Sequence, residues 1–222
     1  MGANGSAEQQ EKLLLLGMQT AHLIHDWNNV LTLLQAQCAE LPPSEAAANL
    51  AASLNDAAAV PRQLLRYLQL QEKTRAVVAI DDWLGVVRRD FRQLLGPRIR
   101  FLVHDGAPGA AIAVDPHQLR HALLNLVLNA RAAIGESGRI VVESAADGPM
   151  VMLRVRDDGR GMDETVRHRL FEPFFSTGRD SHGTGLGLAS VKAFVEAYEG
   201  SVSVESAPAR GTTFTLRFPL VR

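Results

Sequence analysis

Asp157-Asp158-Gly159-Arg160-Gly161-Met162, followed about twenty residues later by Gly183-Thr184-Gly185-Leu186-Gly187-Leu188, is the stretch on which the reading of this chain turns. Two glycine-rich turns, the second opening a helix, let backbone N–H groups approach phosphates with no Cβ in the way. Either turn alone is weak evidence. An acidic residue at the first, a helix start at the second, and Asn125 and Asn129 upstream make a nucleotide site the leading reading.

Working outward from the first turn, Val151, Leu153, Val155 and Asp157 share one face of a strand by period two. The Asp157 carboxylate thus continues an apolar row toward the interior, and a buried acceptor needs a donor. The exocyclic amine of adenine would supply one; an Asp that caps the following turn is the plainer alternative. In the helix after Asp115-Pro116, an arc of Leu119, Ala122, Leu123, Leu126, Val127, Ala130 and Ile134 faces a sheet. Asn125 and Asn129, at i and i+4, sit on one edge of that arc. Their side-chain carbonyls are either hard-oxygen ligands for Mg²⁺ or partners of nearby backbone.

From about residue 76 onward, seven stretches read as strands: 77–80, 99–103, 111–114, 140–143, 151–155, 202–204 and 212–218. Helical patterns at 82–95, 116–134 and 186–199 interleave with them, predicting an α/β sandwich with one sheet covered by helices. Residues 11–75 follow another grammar, rich in Ala, Leu and Gln and broken at Leu41-Pro42-Pro43-Ser44, where Ser44 can cap a second helix. This predicts a helical hairpin with a kink at Pro61. In the first helix Leu16, Leu23, Ile24, Trp27, Val30, Leu31 and Leu34 form a core stripe, with His25 and Asn29 on the opposite side. Leu50, Leu54, Ala57, Leu64 and Leu68 repeat similarly in the second. Two helices cannot cover both stripes, so a homodimer closing a four-helix bundle is expected. The class is therefore α+β. Residues 1–10 read as a flexible tail or expression scar.

The bulk numbers narrow the partners. The chain has 222 residues, 46% hydrophobic and 21% charged, with a net charge of −1. Near-neutrality gives no reason to expect nucleic acid. No apolar run reaches the roughly 18–20 residues that span a bilayer, so no direct membrane insertion is expected, and no signal peptide is read. The single cysteine, Cys38, rules out an internal disulfide framework, fits a cytoplasmic protein and falls near the core arc as a buried thiol.

Asn125-Leu126-Val127-Leu128-Asn129-Ala130, Asp157-Asp158-Gly159-Arg160-Gly161, Leu170-Phe171-Glu172-Pro173-Phe174-Phe175 and Gly183-Thr184-Gly185-Leu186-Gly187-Leu188 resemble, in order, the N, G1, F and G2 boxes of sensor histidine kinases. His25-Asp26-Trp27-Asn28-Asn29 resembles the phosphoacceptor box of the kinases that carry a His-Asp-Phe-Asn-Asn motif. The resemblance implies a catalytic domain with the Bergerat ATP fold, shared with Hsp90, type II topoisomerases and MutL. It implies that Asp157 binds adenine, that Gly159 and Gly161 shape its pocket, and that Asn129 holds Mg²⁺ with support from Asn125. Gly183, Thr184, Gly185, Leu186 and Gly187 would wrap the triphosphate of ATP, and Phe171, Phe174 and Phe175 would anchor the lid hinge. His25 would be the nucleophile, Asp26 its polarising acid, and Asn29 the residue orienting a water for dephosphorylation of a partner. His22 reads as surface. The implied partner is a response-regulator receiver domain, with the signal coming from a sensor module or protein not in this chain.

Three positions depart from the family. Lysines frequent there are replaced by Gly178, His182 and Ala132. Positive charge around the phosphates is thinner, with Arg131, Arg179 and His182 as substitutes, and phosphoryl transfer relies on such charge. A slow kinase is one expectation; a histidine phosphotransfer adaptor with a weakened ATP domain is the alternative.

Overall fold

A computed structural model describes residues 75–176 and 185–221 throughout, with Leu31, Leu34, 36–39, Pro42, Ser44, Ala46, Leu50, Ala51, Ser53 and Leu54. The chain divides into two compact units, Met1–Gln69 and Leu70–Arg222.

In the first unit the described residues from Leu31 to Ala39 and from Ala46 to Leu54 are helical, and Pro42 and Ser44 between them are not. Leu31 and Cys38, two turns apart, are buried. Leu34 and Leu50, both assigned to core stripes, are instead 41% and 45% exposed in the single chain. The earlier part of the first stripe, the Pro61 kink, Ala57, Leu64 and Leu68 lie outside the described residues.

The second unit runs β1 (Ala76–Ala79), α1 (Ile80–Leu95), β2 (Ile99–His104), β3 (Ala111–Val114), α2 (Pro116–Ala133), β4 (Gly138–Asp147), β5 (Met150–Asp157), α3 (Glu164–Arg169), α4 (Gly187–Ala197), β6 (Ser201–Ser206) and β7 (Thr212–Pro219). β1 and β3 form a two-stranded antiparallel sheet. The main sheet has the order β2-β4-β5-β7-β6, parallel between β2 and β4 and antiparallel elsewhere. Alternation sorts its side chains cleanly. Phe101, Ile140, Val142, Leu153, Val155, Phe214 and Leu216 enter one core with Leu84 and Phe91 of α1, Leu119, Leu123 and Leu126 of α2, and Val191 and Phe194 of α4. Arg100, Arg139, Arg154, Arg156 and Arg217 alternate with them. This is the expected sandwich, helices on one sheet face.

α2 begins as its sequence dictates: Pro116 occupies the first turn and the Asp115 carboxylate accepts from His117 N–H (2.8 Å) and Gln118 N–H (3.1 Å). α1 begins two residues before the expected Asp82. Ile80 looks like a strand residue, yet its backbone turns helical while its N–H still donates to the Ala110 carbonyl (3.1 Å), prolonging the β1–β3 ladder by one bond. The Asp81 carboxylate then holds the Ala107 N–H and the Ser144 hydroxyl, fixing the helix start against β4.

Candidate active site

β5 delivers Asp157 to the interior at its last residue, 4% exposed, opposite Ile140 of β4. Its Oδ1 accepts two backbone N–H groups, Gly159 at 2.9 Å and Thr212 at 3.2 Å. Both bonds fall on the same oxygen, so Oδ2 retains its lone pairs. Oδ1 thus caps the turn, and no described residue donates to Oδ2. Burial pushes the carboxyl above the ordinary carboxylate range; the Gly159 and Thr212 N–H groups pull it back, and the Asp158 charge adds a smaller push upward.

The turn after Asp157 is pinned on two sides. Arg160 N–H donates to the Ala133 carbonyl at the end of α2 (2.9 Å), and Ala209 N–H donates to the Arg160 carbonyl (2.7 Å). Gly161, at φ 65°, has no room for a side chain: a Cβ there would sit 2.0 Å from the Ala207 carbonyl oxygen. Gly161→Ala should cost about 2–4 kcal/mol from the left-handed backbone and the clash together. A thermal-unfolding midpoint lowered by more than about 4 °C checks this. Gly187→Ala is the control, because its added Cβ would meet nothing nearer than Asn125 at 3.7 Å and should change stability by less than about 0.5 kcal/mol.

On α2, Asn125 and Asn129 take different roles. Asn125 Nδ2 donates to the Gly187 carbonyl at the start of α4 (3.4 Å), joining the two helices that flank the site. Asn129 is exposed, and no described residue bonds its amide. Its oxygen is open to a ligand. Among the described residues no three His, Cys, Asp or Glu side chains cluster to hold a metal. The donor set fits Mg²⁺ only as an ion that takes most of its oxygens from phosphates and water, with Asn129 adding one.

Gly185, at φ 68°, closes the second glycine turn against the first residues after α3. A Cβ on it would lie 2.4 Å from the Phe174 carbonyl carbon, and Phe174 N–H donates to the Gly185 carbonyl (3.0 Å). Leu186 is buried, and α4 starts at Gly187 rather than Leu186. The three phenylalanines divide. Phe171 packs edge-to-face on Phe214 at 6.5 Å, and Phe175 lies under the Arg169 guanidinium at 4.4 Å. The Phe174 ring is 69% exposed on a left-handed backbone.

Arg131 Nη1 donates to the Gly135 carbonyl just past α2 (2.7 Å), which leaves its other guanidinium N–H groups for a further acceptor. Ala132 is exposed and carries no charge. Gly178, Arg179, His182, Gly183 and Thr184 lie outside the described residues, as do His25, Asp26 and Asn29. Sequence reasoning missed Thr212 and Ser206. Thr212 shares Asp157, while the Ser206 hydroxyl receives Met162 N–H (2.9 Å) and donates to the Gly211 carbonyl (3.0 Å). Their signal is the β5–β7 pairing of Arg156 with Thr213, which places Thr212 beside Asp157 and requires the sheet order.

Comparison with known proteins gives the following. Residues 114–222 match the model of the histidine kinase-, DNA gyrase B- and HSP90-like ATPase family. Sensor kinase CckA of Brucella abortus is 30% identical over 95% of this chain and 25% of its own length. Sensor histidine kinase ZraS of Escherichia coli K12 is 33% identical over 96% of this chain and 47% of its own. The crystal structure of full-length ShkA in complex with AMPPNP superposes with a TM-score of 0.71 at 26% identity, covering 95% of this chain and 46% of that one. The chain thus spans a quarter of the length of CckA and about half that of ZraS.

Proposed function

With an ATPase domain of the histidine kinase-, DNA gyrase B- and HSP90-like family over residues 114–222, this chain belongs among the histidine kinase cores with a Bergerat-type ATP-binding domain, and we propose that it moves the ATP γ-phosphoryl group to His25 and then to a receiver-domain aspartate. The observation that carries the reading is the Asp157 carboxylate, held by Oδ1 and open at Oδ2, at the interior end of a strand. Such an acceptor calls for a donor on the base, and the exocyclic amine of adenine supplies one.

Adenine donates its amine to Asp157 Oδ2, and the glycine turns carry the phosphates toward α4. Asn129 would hold Mg²⁺ together with the phosphates, and the ion would supply neutralising charge there. One imidazole nitrogen of His25 attacks the γ-phosphorus; a P–N bond forms as the P–O bond to ADP breaks, and ADP leaves with the electron pair. Asp26 takes the proton shed by the other ring nitrogen. The phosphoryl group passes to the carboxylate of the receiver aspartate, regenerating His25, and Asn29 orients the water that later hydrolyses that acyl phosphate. Pairing of two copies covers the stripes to which Leu34 and Leu50 belong. The chain works in the cytoplasm on a signal from a sensor module or a separate sensor protein. Among the described residues no helix is long and apolar enough to cross a membrane.

Incubation of the chain with Mg²⁺ and γ-labelled ATP tests the reading. An acid-labile, alkali-stable phosphoprotein is the expected product. Acid-stable label would point to a serine kinase of the same ATP-fold superfamily. Bound ATP with no label would leave the adaptor.

A further inference from the structure

β2 is the last strand of the main sheet, and β4 is its one strand partner among the described residues. The Arg98 carbonyl accepts the Gly138 N–H of β4 (3.4 Å), so alternation along β2 turns the peptide groups of Ile99, Phe101 and Val103 the other way, to the free edge. Beside that edge, between α1 and β2, runs a groove of about 600 Å³ whose walls include Arg88, Arg92, Arg100, Phe101 and Leu102.

The charge there is one-sided. Arg88 and Arg92 stand one turn apart on α1, where like charges repel, and Arg100 lies opposite Arg139 across β2 and β4. All four are exposed, and none pairs with a carboxylate among the described residues, whereas Arg75, Arg120, Arg167 and Arg169 all do. A free row of peptide donors and acceptors flanked by unneutralised guanidinium forks matches one kind of ligand. Extended polypeptide satisfies the row, and carboxylates satisfy the forks. Nucleic acid fits less well, because single strands need exposed rings for stacking and the one ring in this groove, Phe101, is 6% exposed.

We propose that the groove between α1 and β2 docks an acidic, extended segment of a partner protein, which joins the sheet beside β2 and sets its carboxylates against Arg88 and Arg92. The site is separate from Asp157 and does not depend on the kinase reading. The rival is that the arginines only repel other strands from an open edge.

The probe is a fluorescent eight-residue peptide alternating Val and Glu, titrated into the full chain beside its Val/Gln counterpart and an oligo-dT strand. The Val/Glu peptide should bind at least tenfold more tightly than either, and should protect the Phe101 and Val103 amides from hydrogen exchange. Arg88→Glu/Arg92→Glu should weaken it at least tenfold and favour a Val/Lys peptide instead, with ATP affinity unchanged. No binding of the Val/Glu peptide, binding indifferent to the charge reversal, or oligo-dT binding as tightly at the same residues would overturn the proposal. Self-association of the reversed variant without peptide binding by the parent chain would also overturn it, in favour of edge protection.

Discussion

Replacing His25 with alanine should reduce acid-labile phosphoprotein from labelled ATP to background, the largest effect expected of any single change in this chain. The reason is categorical rather than graded: a phosphoramidate needs a ring nitrogen, and alanine leaves the γ-phosphoryl group no acceptor at that place. The affinity for ATP should stay the same, since the groups assigned to the nucleotide lie between Asn125 and Gly187. Calorimetry with a non-hydrolysable ATP analogue therefore separates a lost acceptor from a lost fold. His22→Ala is the matched control and should keep full labelling, because the phosphoacceptor-like stretch starts at His25 and leaves His22 out. Label that persists at His25→Ala, or vanishes equally at His22→Ala, would remove His25 from the reaction. Asp26 invites a finer comparison. If it only takes a proton, Asp26→Asn should slow labelling without changing the acid lability of the product.

Most of the ATP-type domain was legible because its signals are periodic. Seven strands and three helices announce themselves through alternation of two and arcs of 3.6, and the Asp115-Pro116 start of α2 is written in cap chemistry. What escaped is what periodicity does not encode. α3 has six residues and buries none of them, so it shows no stripe; its sole local sign is Asp163, whose carboxylate accepts Val166 N–H (2.8 Å). The bond from Thr212 to Asp157 spans 55 positions and that from Asn125 to Gly187 spans 62, so both depend on sheet order and helix packing. Arg131 shows the same limit from the other side. Its charge is visible in the sequence, but its engagement with the Gly135 carbonyl is decided by where α2 ends. Phe174 marks a related limit, since hydrophobic character does not disclose a backbone at φ 65° or a ring left 69% exposed.

Asp157→Asn should lower ATP affinity on the order of 10- to 100-fold while leaving the domain folded, which makes it the sharpest test of where adenine sits. Asparagine keeps a carbonyl oxygen where Oδ1 receives Gly159 and Thr212, so the turn retains both of its N–H bonds. In that orientation the amide nitrogen replaces Oδ2, and the adenine amine then meets a donor instead of an acceptor. Loss of a hydrogen bond to a charged group costs about 1.5–3 kcal/mol, and the donor–donor contact adds to it. The pH dependence gives a second reading of the same atom. Burial holds the Asp157 pKa above the ordinary carboxylate value, so the free protein keeps this proton to higher pH than the unfolded chain does. Protonation is thus more favourable folded than unfolded: its stabilising contribution is fully present below the unfolded pKa and is lost as pH rises through the folded one. Nucleotide binding runs the opposite way, because an ionised Oδ2 is the better acceptor. ATP affinity should therefore fall as pH drops through the raised Asp157 pKa, and this fall should flatten in Asp157→Asn. Affinity in the variant equal to that of the parent at neutral pH, or an unchanged pH profile, would place the purine somewhere other than the end of β5.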